Sequence, residues 1–530
     1  MTKQRKLMKK LLINAALLLL LVGSFSSCKK KAEEDYQNPE LTTSGNIGKL
    51  FAGMFFNKRI HPSYWDYYTI LQSYSGAYSG LVSLVPSSTM YQTTSSYTDG
   101  RWTDFYNGST GTDYNYNGPG ILNNYREMQT TYNGLSTADQ ADQAVYMNLA
   151  KVIVADQAAQ MVDLWGDIPF SKANSLNSSR QVEFAAYDDA AALYDTLIAN
   201  LDQVNTFLTT ATVAATESGN LKLYDRIYSG DLTLWRRYAN SLRLRLLMRI
   251  SNVSESKAQA AVTTMLNNPG TYPLISSNDQ SALLWESPTT LVSDLLSAFT
   301  SFPYAPKFLL EDVLVANNDP RTKVMFDPDT ANGYKGFPYN GTSTEYSNGG
   351  YASFDSATFF YNYNVPGVLF TAAEASFLQA EAYERWGLGT AATAYTAGLD
   401  QSVAFFYMMN TKAFNRSNQY KWATLSVNTD TVALWKAASG VAYTGTTTEK
   451  LAKIYTQKWV NFFIMQANQA WSEYRRTGYP AIQLPVSAGI QANPPVRFLY
   501  PSNESLYNTA NYNAVKSKDT RDTKIFWDVN

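Results

Sequence analysis

The apolar positions of this chain recur mainly at the spacing of amphipathic helices. From Thr137 to Trp165 they follow one another at intervals of three and four, after a Thr137-x-x-Gln140 capping box and before Gly166 and Pro169. The same spacing predicts further helices over residues 187–207, 231–250, 371–386, 391–409 and 449–475. The pattern therefore predicts a mainly α protein.

Helices of this length, joined in pairs, indicate stacked helix-turn-helix units in which each pair buries its apolar stripe against the next. No regular sequence period accompanies them. Long segments rich in Gly, Tyr, Asn, Ser and Thr separate the helices, over residues 87–113, 331–366 and 487–530. Structureless segments of this length are usually functional in compact domains. We therefore expect a helical scaffold that presents large aromatic loops.

A different hydrophobic pattern occupies the N-terminus. Five Lys and Arg residues precede an apolar run over residues 11–22, which is shorter than the roughly 20 residues needed to span a bilayer. Small residues then lead to Cys28, the only cysteine of the chain. This is the pattern of a lipoprotein signal peptide, residues 1–27, whose removal leaves Cys28 to carry lipid. The alternative is an ordinary cleaved signal followed by an incidental free thiol.

The segment after Cys28 is short and charged. Residues 28–45 are predicted to form a lipidated flexible tether, and residues 46–530, which no Pro/Gly/Ser-rich linker divides, to form one domain. The charged run 29–35 resembles the lysine-plus-acidic tag that exports lipoproteins to the cell surface in the Bacteroidetes. Because several acyl chains hold a protein to a membrane durably, no second membrane segment is needed.

Net charge argues against nucleic acid as a partner. Without the signal peptide, 38 Lys and Arg face 44 Asp and Glu, which leaves a net charge of about −6. No block of Lys and Arg occurs outside the signal and the tether. A chain of this kind has no basic surface for a phosphate backbone.

The composition also limits the available chemistry. His61 is the only histidine, so a histidine-based zinc site cannot be assembled. A Ser-His-Asp triad would have to use His61, which has no nucleophile motif near it, and no G-x-S-x-G motif is present. We expect no metal and no cofactor. The chain instead contains 38 Tyr, 25 Phe and 11 Trp, which indicates a surface that binds through flat apolar faces with polar rims.

Four segments carry a family resemblance. They read YSGDLTLWRRYANSLRLR (228–245), DLWGDIPF (163–170), EASFLQAEA (374–382) and AWSEYRRTGYP (470–480). They resemble the SusD/RagB family of surface nutrient-binding lipoproteins, in particular its SusD-like, starch-binding-associated branch, over most of the mature chain.

The same segments also have a structural interpretation. Helical spacing places Trp235, Tyr238, Leu242, Leu246 and Ile250 on one stripe, which is typical of a buried core. The arginines nearby are spread over several faces, which favours structural ion pairs and caps over an anion site, at Arg236, Arg237, Arg243, Arg245 and Arg249.

The two glutamates of the third segment, Glu374 and Glu381, are two helical turns apart, too far to share a proton.

The resemblance implies a mainly α fold of stacked tetratricopeptide-like helix pairs with long irregular loops. It also implies a lipid-anchored protein on the outer face of the outer membrane, which caps a SusC-like TonB-dependent transporter. Such proteins bind oligosaccharides or other oligomers without cleaving them and pass them to the transporter.

Aromatic residues in the loops are the candidates for ligand contact. The segment 64–68, with Trp65 and Tyr67, is dense enough to form a platform, although helical spacing of its aromatics also fits a core. The other candidates lie in polar segments that the helices would present: Tyr91, Tyr97, Trp285, Tyr304, Tyr334 and Tyr339.

Other functions remain open at this stage. Peptides are an alternative cargo, which a groove of backbone-like polar groups would favour. A carboxylate-based glycoside hydrolase would require two inward carboxylates about 5–9.5 Å apart across a cleft. A transporter lid without its own ligand would show a large apolar patch and no aromatic pocket.

Overall fold

Helices make up most of the computed structural model, which describes residues 46–108, 118–176, 183–285, 295–414 and 424–530. The predicted signal peptide, Cys28 and the tether lie outside the described residues. The α-helices of eight residues or more are α1 (Ile47–Met54), α2 (Ser95–Tyr106), α3 (Ile121–Asn133), α4 (Thr137–Trp165), α5 (Ala190–Thr210), α6 (Ala215–Tyr224), α7 (Leu232–Arg249), α8 (Glu255–Asn267), α9 (Ala372–Trp386), α10 (Ala391–Thr411), α11 (Thr429–Ala437), α12 (Thr447–Phe462) and α13 (Ala467–Thr477).

Shorter elements connect these helices. The short α-helices are Tyr64–Asp66, Leu296–Ser301, Thr322–Met325, Ser343–Asn348, Ser502–Tyr507 and Thr509–Val515, and π-helical segments cover Tyr67–Gly76, Phe308–Leu314 and Ser356–Phe360. Single 3₁₀ turns cover Asn278–Gln280, Val315–Asn317, Ile464–Gln466 and Lys516–Lys518.

The strands of the described chain form antiparallel pairs: Ile168–Pro169 (β1) with Tyr187–Asp188 (β2), Ala282–Leu284 (β3) with Gly367–Phe370 (β6), and Phe326–Asp327 (β4) with Ser353–Phe354 (β5).

Side-chain caps set where the long helices begin. Ser136, not the predicted Thr137 box, caps α4, because its hydroxyl accepts a hydrogen bond from the backbone N–H of Asp139. The prediction that the next helix begins near Tyr187 was three residues early. Tyr187 pairs with Pro169 in the β1–β2 ladder, and Asp189 then caps α5.

Neighbouring helices pack in pairs along the chain. α4 packs against α3 and α5, α5 packs against α7, and α9 packs against both α10 and α12. Residues Ile47–Asn530 form one compact unit. This arrangement confirms a mainly α fold of stacked tetratricopeptide-like helix pairs.

Two predictions of where helices and loops lie fail. The single helix predicted over 449–475 is divided into α12 and α13 at Phe463, whose φ is +43°. The Phe463 ring packs against Phe326, Phe354 and Phe406, so the chain turns where aromatic packing holds this side chain. Each of the three segments predicted as loops contains helix: α2 lies in 87–113, Ser343–Asn348 in 331–366, and both Ser502–Tyr507 and Thr509–Val515 in 487–530.

The α7 motif is structural, as predicted. Its stripe from Trp235 to Ile250 is buried. Arg245 is also buried and donates to Glu374 through Nε at 2.5 Å and Nη2 at 2.7 Å, while its Nη1 lies 2.8 Å from Asp156. Glu374 and Glu381 therefore belong to separate ion pairs, since Glu381 contacts Arg476 instead.

Candidate functional site

The segment after Ser63 turns two aromatic side chains toward solvent. Ser63 caps the turn Tyr64–Asp66, with its backbone N–H and its hydroxyl both donating to the Asp66 carboxylate. The chain continues without interruption into the π-helical segment Tyr67–Gly76. Tyr64 and Trp65 remain 44% and 43% exposed, which is unusual for rings of this size.

Helix α2 brings Tyr97 to the same place. The ring centroids of Trp65 and Tyr97 are 5.4 Å apart with an interplanar angle of 79°, an edge-to-face contact. Tyr68 lies 6.0 Å from Trp65 and 6.1 Å from Tyr97. The three rings brace one another, so the orientation of Trp65 is fixed by packing.

A polar cleft opens beside these rings. It has a volume of about 250 Å³ and is called the aromatic cleft below. Its described lining combines the two rings with charged and hydroxyl side chains: Lys58, Trp65, Asp66, Thr69, Tyr97, Arg101, Thr103 and Asp104.

The side chains of Asp66, Arg101 and Asp104 in the cleft are buried. Burial raises the pKa of Asp104 to about 6, with a further contribution from the Asp66 carboxylate, against the opposing effect of Arg101. Burial also lowers the pKa of Arg101 from its usual value. The Nε of Arg101 has no hydrogen-bond partner among the described residues. Perturbed groups in a cleft are typical of functional sites.

Two of the predicted ligand residues are core residues. Tyr67 is 2% exposed and packs against Phe299, and burial raises its pKa. Tyr91 is 1% exposed, its hydroxyl donates to the carbonyl of Pro485, and burial raises its pKa as well. Neither ring has an exposed face, which corrects the prediction of Tyr67 as part of the platform and of Tyr91 as a ligand contact in a polar loop.

The remaining predicted residues lie apart from the aromatic cleft. Trp285 is half-buried, with the Lys412 ammonium 4.4 Å from its ring centroid. Tyr304 packs against Tyr346 at 4.9 Å.

Tyr334 lines a separate cavity of about 440 Å³ together with Tyr407, and Tyr339, 47% exposed, lines a small one of about 40 Å³. None of these four predicted residues is among the described residues that line the aromatic cleft.

Sequence reasoning missed the polar residues of the cleft. Tyr97, Arg101 and Asp104 recur at helical spacing, but this signal appears only once residues 95–106 are recognised as a helix. Lys58 carries no sequence signal of its own.

Acid–base and metal chemistry based on histidine is absent from this site. His61 is buried outside the aromatic cleft, and burial lowers its pKa to about 4, so it is neutral near pH 7. Within the described ranges, no group of three or more His, Cys, Asp or Glu side chains is placed to hold a metal ion.

Comparison with known proteins identifies the family. The SusD-like family model, described as starch-binding associating with outer membrane, matches residues 68–501. The chain belongs to the SusD-like family. No curated protein matches this SusD-like chain.

Solved structures share the SusD-like fold. A chitin-binding protein superposes with a TM-score of 0.70 and 24% identity. The match covers 91% of this chain and 100% of that chain. A chitin-binding SusD homologue from Flavobacterium johnsoniae has a TM-score of 0.68 and 23% identity, over 92% and 99% of the two chains. A SusD homologue from Bacteroides fragilis has a TM-score of 0.68 and 18% identity, over 91% and 99%.

Proposed function

We propose that this SusD-like protein binds oligosaccharides at the aromatic cleft without cleaving them and delivers them to a SusC-like TonB-dependent transporter. The observation that carries the proposal is the half-exposed Trp65 ring, braced edge-on by Tyr97 above a cleft of polar side chains. Sugar rings have apolar faces that stack on indole and hydroxyls that pair with carboxylates, guanidinium and hydroxyl groups.

The comparisons support this ligand class. The family description names starch and outer-membrane association, and two structural neighbours are described as chitin-binding. Both polymers are built of pyranose units. Starch-type and chitin-type oligosaccharides are therefore the first ligands to test.

The proposed location follows from the N-terminal sequence. Cleavage after residue 27 leaves lipid on Cys28, residues 28–45 act as a tether, and residues 46–530 form the nutrient-binding domain at the outer face of the outer membrane. No helix in the described ranges combines the length and the apolar character needed to cross a bilayer.

Calorimetric titration tests the proposal. The protein is the chain from residue 28 with Cys28→Ser, which prevents lipidation and leaves the compact unit Ile47–Asn530 unchanged. We expect saturable binding of intact maltotriose or chitotriose, and an affinity about tenfold weaker in Trp65→Ala. Phe414→Ala is the matched control, because Phe414 is similarly exposed, at 41%, and does not line the cleft.

Other results would reassign the function. Equal loss of affinity in Trp65→Ala and Phe414→Ala would show that the sugar is not bound specifically at the aromatic cleft. Binding of peptides alone would change the cargo, and no binding of sugars or peptides would favour a transporter lid. Co-purification with a SusC-like transporter from native membranes tests delivery, and an isolated monomer would contradict it.

A glycoside hydrolase is the second candidate, because the carboxylates of Asp66 and Asp104 line the same cleft and the pKa of Asp104 is raised to about 6. A raised pKa suits a general acid. Chromatography of the titration mixtures decides between the two functions. Products that form with the wild-type protein and disappear in Asp104→Asn would establish the hydrolase.

A further inference from the structure

We propose that a second cavity of this protein, separate from the aromatic cleft, binds a neutral pyranose oligosaccharide. The second cavity has a volume of about 330 Å³, within the range of roughly 300–1,000 Å³ typical of small-molecule sites. Helix α2 contributes to both sites. Tyr97 and Arg101 line the aromatic cleft, Trp102 and Tyr106 line the second cavity, and Thr103 lines both.

The second cavity has a rigid aromatic floor. Trp102 and Tyr106 are buried, with ring centroids 5.1 Å apart, and Trp102 is braced by Trp165 at 5.4 Å and Tyr500 at 5.8 Å. The Tyr106 hydroxyl donates to the carbonyl of Pro169 at 2.8 Å. Such a floor is ordered before any ligand arrives, which lowers the entropic cost of binding.

Two aromatic side chains stand at the edge of the cavity in solvent. Phe184 is 64% exposed and Tyr507 is 72% exposed, and both line the second cavity. Hydrogen bonds hold their backbones together, because Asn511 donates to the carbonyl of Phe184 and Asn508 to that of Ala185. The two rings therefore lie on segments that are tied together, and each has exposed apolar surface for a pyranose.

A buried acceptor in the wall lacks a partner. The amide of Asn174 donates to the Tyr106 carbonyl at 3.2 Å, which fixes its orientation. Its Oδ1 is buried and accepts no hydrogen bond from the described residues. An unsatisfied buried acceptor costs about 1–3 kcal/mol unless a donor reaches it. Asn174 also lines the second cavity, so a small movement of its side chain would offer this acceptor to a ligand hydroxyl.

The charges of the wall select for a neutral ligand. Glu183 and Glu504 line the cavity, and its described lining contains no Lys or Arg. Glu504 accepts from the Tyr187 hydroxyl at 2.8 Å and from the Asn508 amide at 3.1 Å, so this carboxylate is held in place. These two carboxylates repel anionic sugars but accept hydrogen bonds from hydroxyls. A neutral oligosaccharide meets all of these conditions.

The choice of sugar as ligand class rests on the proposed function, but the two sites can be tested separately. We expect calorimetric titration of the Cys28→Ser chain with maltotriose or chitotriose to give two equivalents bound. Tyr507→Ala removes one equivalent or weakens it about tenfold. Leu506→Ala is the matched control, because Leu506 is 66% exposed on the same short helix and does not line the cavity. Asn174→Gly, which keeps the backbone φ of +57° accessible, is a second variant and should weaken the same equivalent.

The outcomes separate the two proposals. Loss in Tyr507→Ala with retention in Trp65→Ala supports the second cavity whatever happens at the aromatic cleft. A single equivalent that is lost in Trp65→Ala and unchanged in Tyr507→Ala overturns the second site and leaves the proposed function standing. Absence of all sugar binding overturns both, and trigalacturonate binding that Tyr507→Ala abolishes overturns the assignment to a neutral ligand.

Discussion

Glu381 of α9 and Arg476 of α13 form a buried bidentate ion pair, with the two guanidinium nitrogens Nη1 and Nη2 each 2.8 Å from a carboxylate oxygen. Lys458 of α12 lies 3.0 Å from the same carboxylate and 2.6 Å from Glu473. Glu473 in turn lies 2.7 Å from Arg476. Three helices are thus joined through two carboxylates and two cations inside the protein, and Arg385 and Arg249 extend this network at 3.4 Å from Glu381 and 3.3 Å from Glu473.

Removing one charge of this network should destabilise the fold. Glu381→Gln leaves Lys458 and Arg476 with one carboxylate between them, and breaking a buried pair typically costs about 3–5 kcal/mol. Chemical denaturation measures the change in the free energy of unfolding. Asp195→Asn is the control, because the Asp195 side chain is 52% exposed and its pair with Lys257 should contribute less than about 1 kcal/mol. Similar losses in the two variants would contradict the network's role.

The stability gap between the wild type and Glu381→Gln should depend on pH. Burial opposes ionisation of Glu381, but Arg476 and Lys458 outweigh it and lower its pKa to about 2, from 4.5 for an unperturbed glutamate. A lowered pKa stabilises the folded state above the unfolded value, and this contribution is lost as the pH falls toward 2. Denaturation at pH 7, 5, 4 and 3 should show the gap shrinking below about pH 4.5. A gap that stays constant would refute the assignment.

Ionisation of Asp104 should destabilise the folded state, whereas ionisation of Glu381 stabilises it. Its pKa is raised to about 6, from 3.8, because burial and Asp66 disfavour its charged form. The folded state therefore holds its proton longer than the unfolded chain, and stability falls as the pH rises between these two values. Asp104→Asn should be more stable than the wild type at pH 7, by on the order of 1–3 kcal/mol, and equal to it near pH 4. Thermal unfolding at both pH values measures this, and a gain at pH 4 as large as at pH 7 would exclude titration as the cause.

Tyr91 should affect stability but not binding. Tyr91→Phe removes the hydroxyl that donates to the Pro485 carbonyl and keeps the buried ring. We expect a loss of about 1 kcal/mol in the free energy of unfolding and an unchanged affinity for maltotriose or chitotriose. A clear loss of affinity at unchanged stability would restore Tyr91 to the binding site.

The sequence was sufficient to predict structure where the local hydrophobic pattern matches the burial found in the fold. The stripe on α7 is buried as its spacing predicts, and the arginines Arg243, Arg245 and Arg249 form the ion pairs that their spread over several faces indicated. Pattern alone failed at Phe463, because contacts with rings from distant segments, not a local breaker, end α12. It also failed at α2, where many polar residues obscure the helical spacing.

The sequence likewise predicted only part of the candidate site. Residue type marked Trp65 and Tyr97 as aromatic candidates, but equally marked Tyr67 and Tyr91, since composition does not distinguish a ring in a core from a ring in a cleft. Burial depends on which segments pack against a residue, and for Tyr67 that is Phe299, more than 200 positions along the chain. The partners of Arg101 and Asp104 are likewise set by folding.

By itself, the sequence determined the helical class of the protein, its family motifs, the lipoprotein pattern at Cys28 and the restriction to a single histidine. Each of these depends on residue identity and short-range spacing. Only the tertiary structure decided which aromatic faces remain exposed, which charges are buried together and where cavities form. Those properties arise from contacts between segments far apart in the chain, which periodicity does not encode.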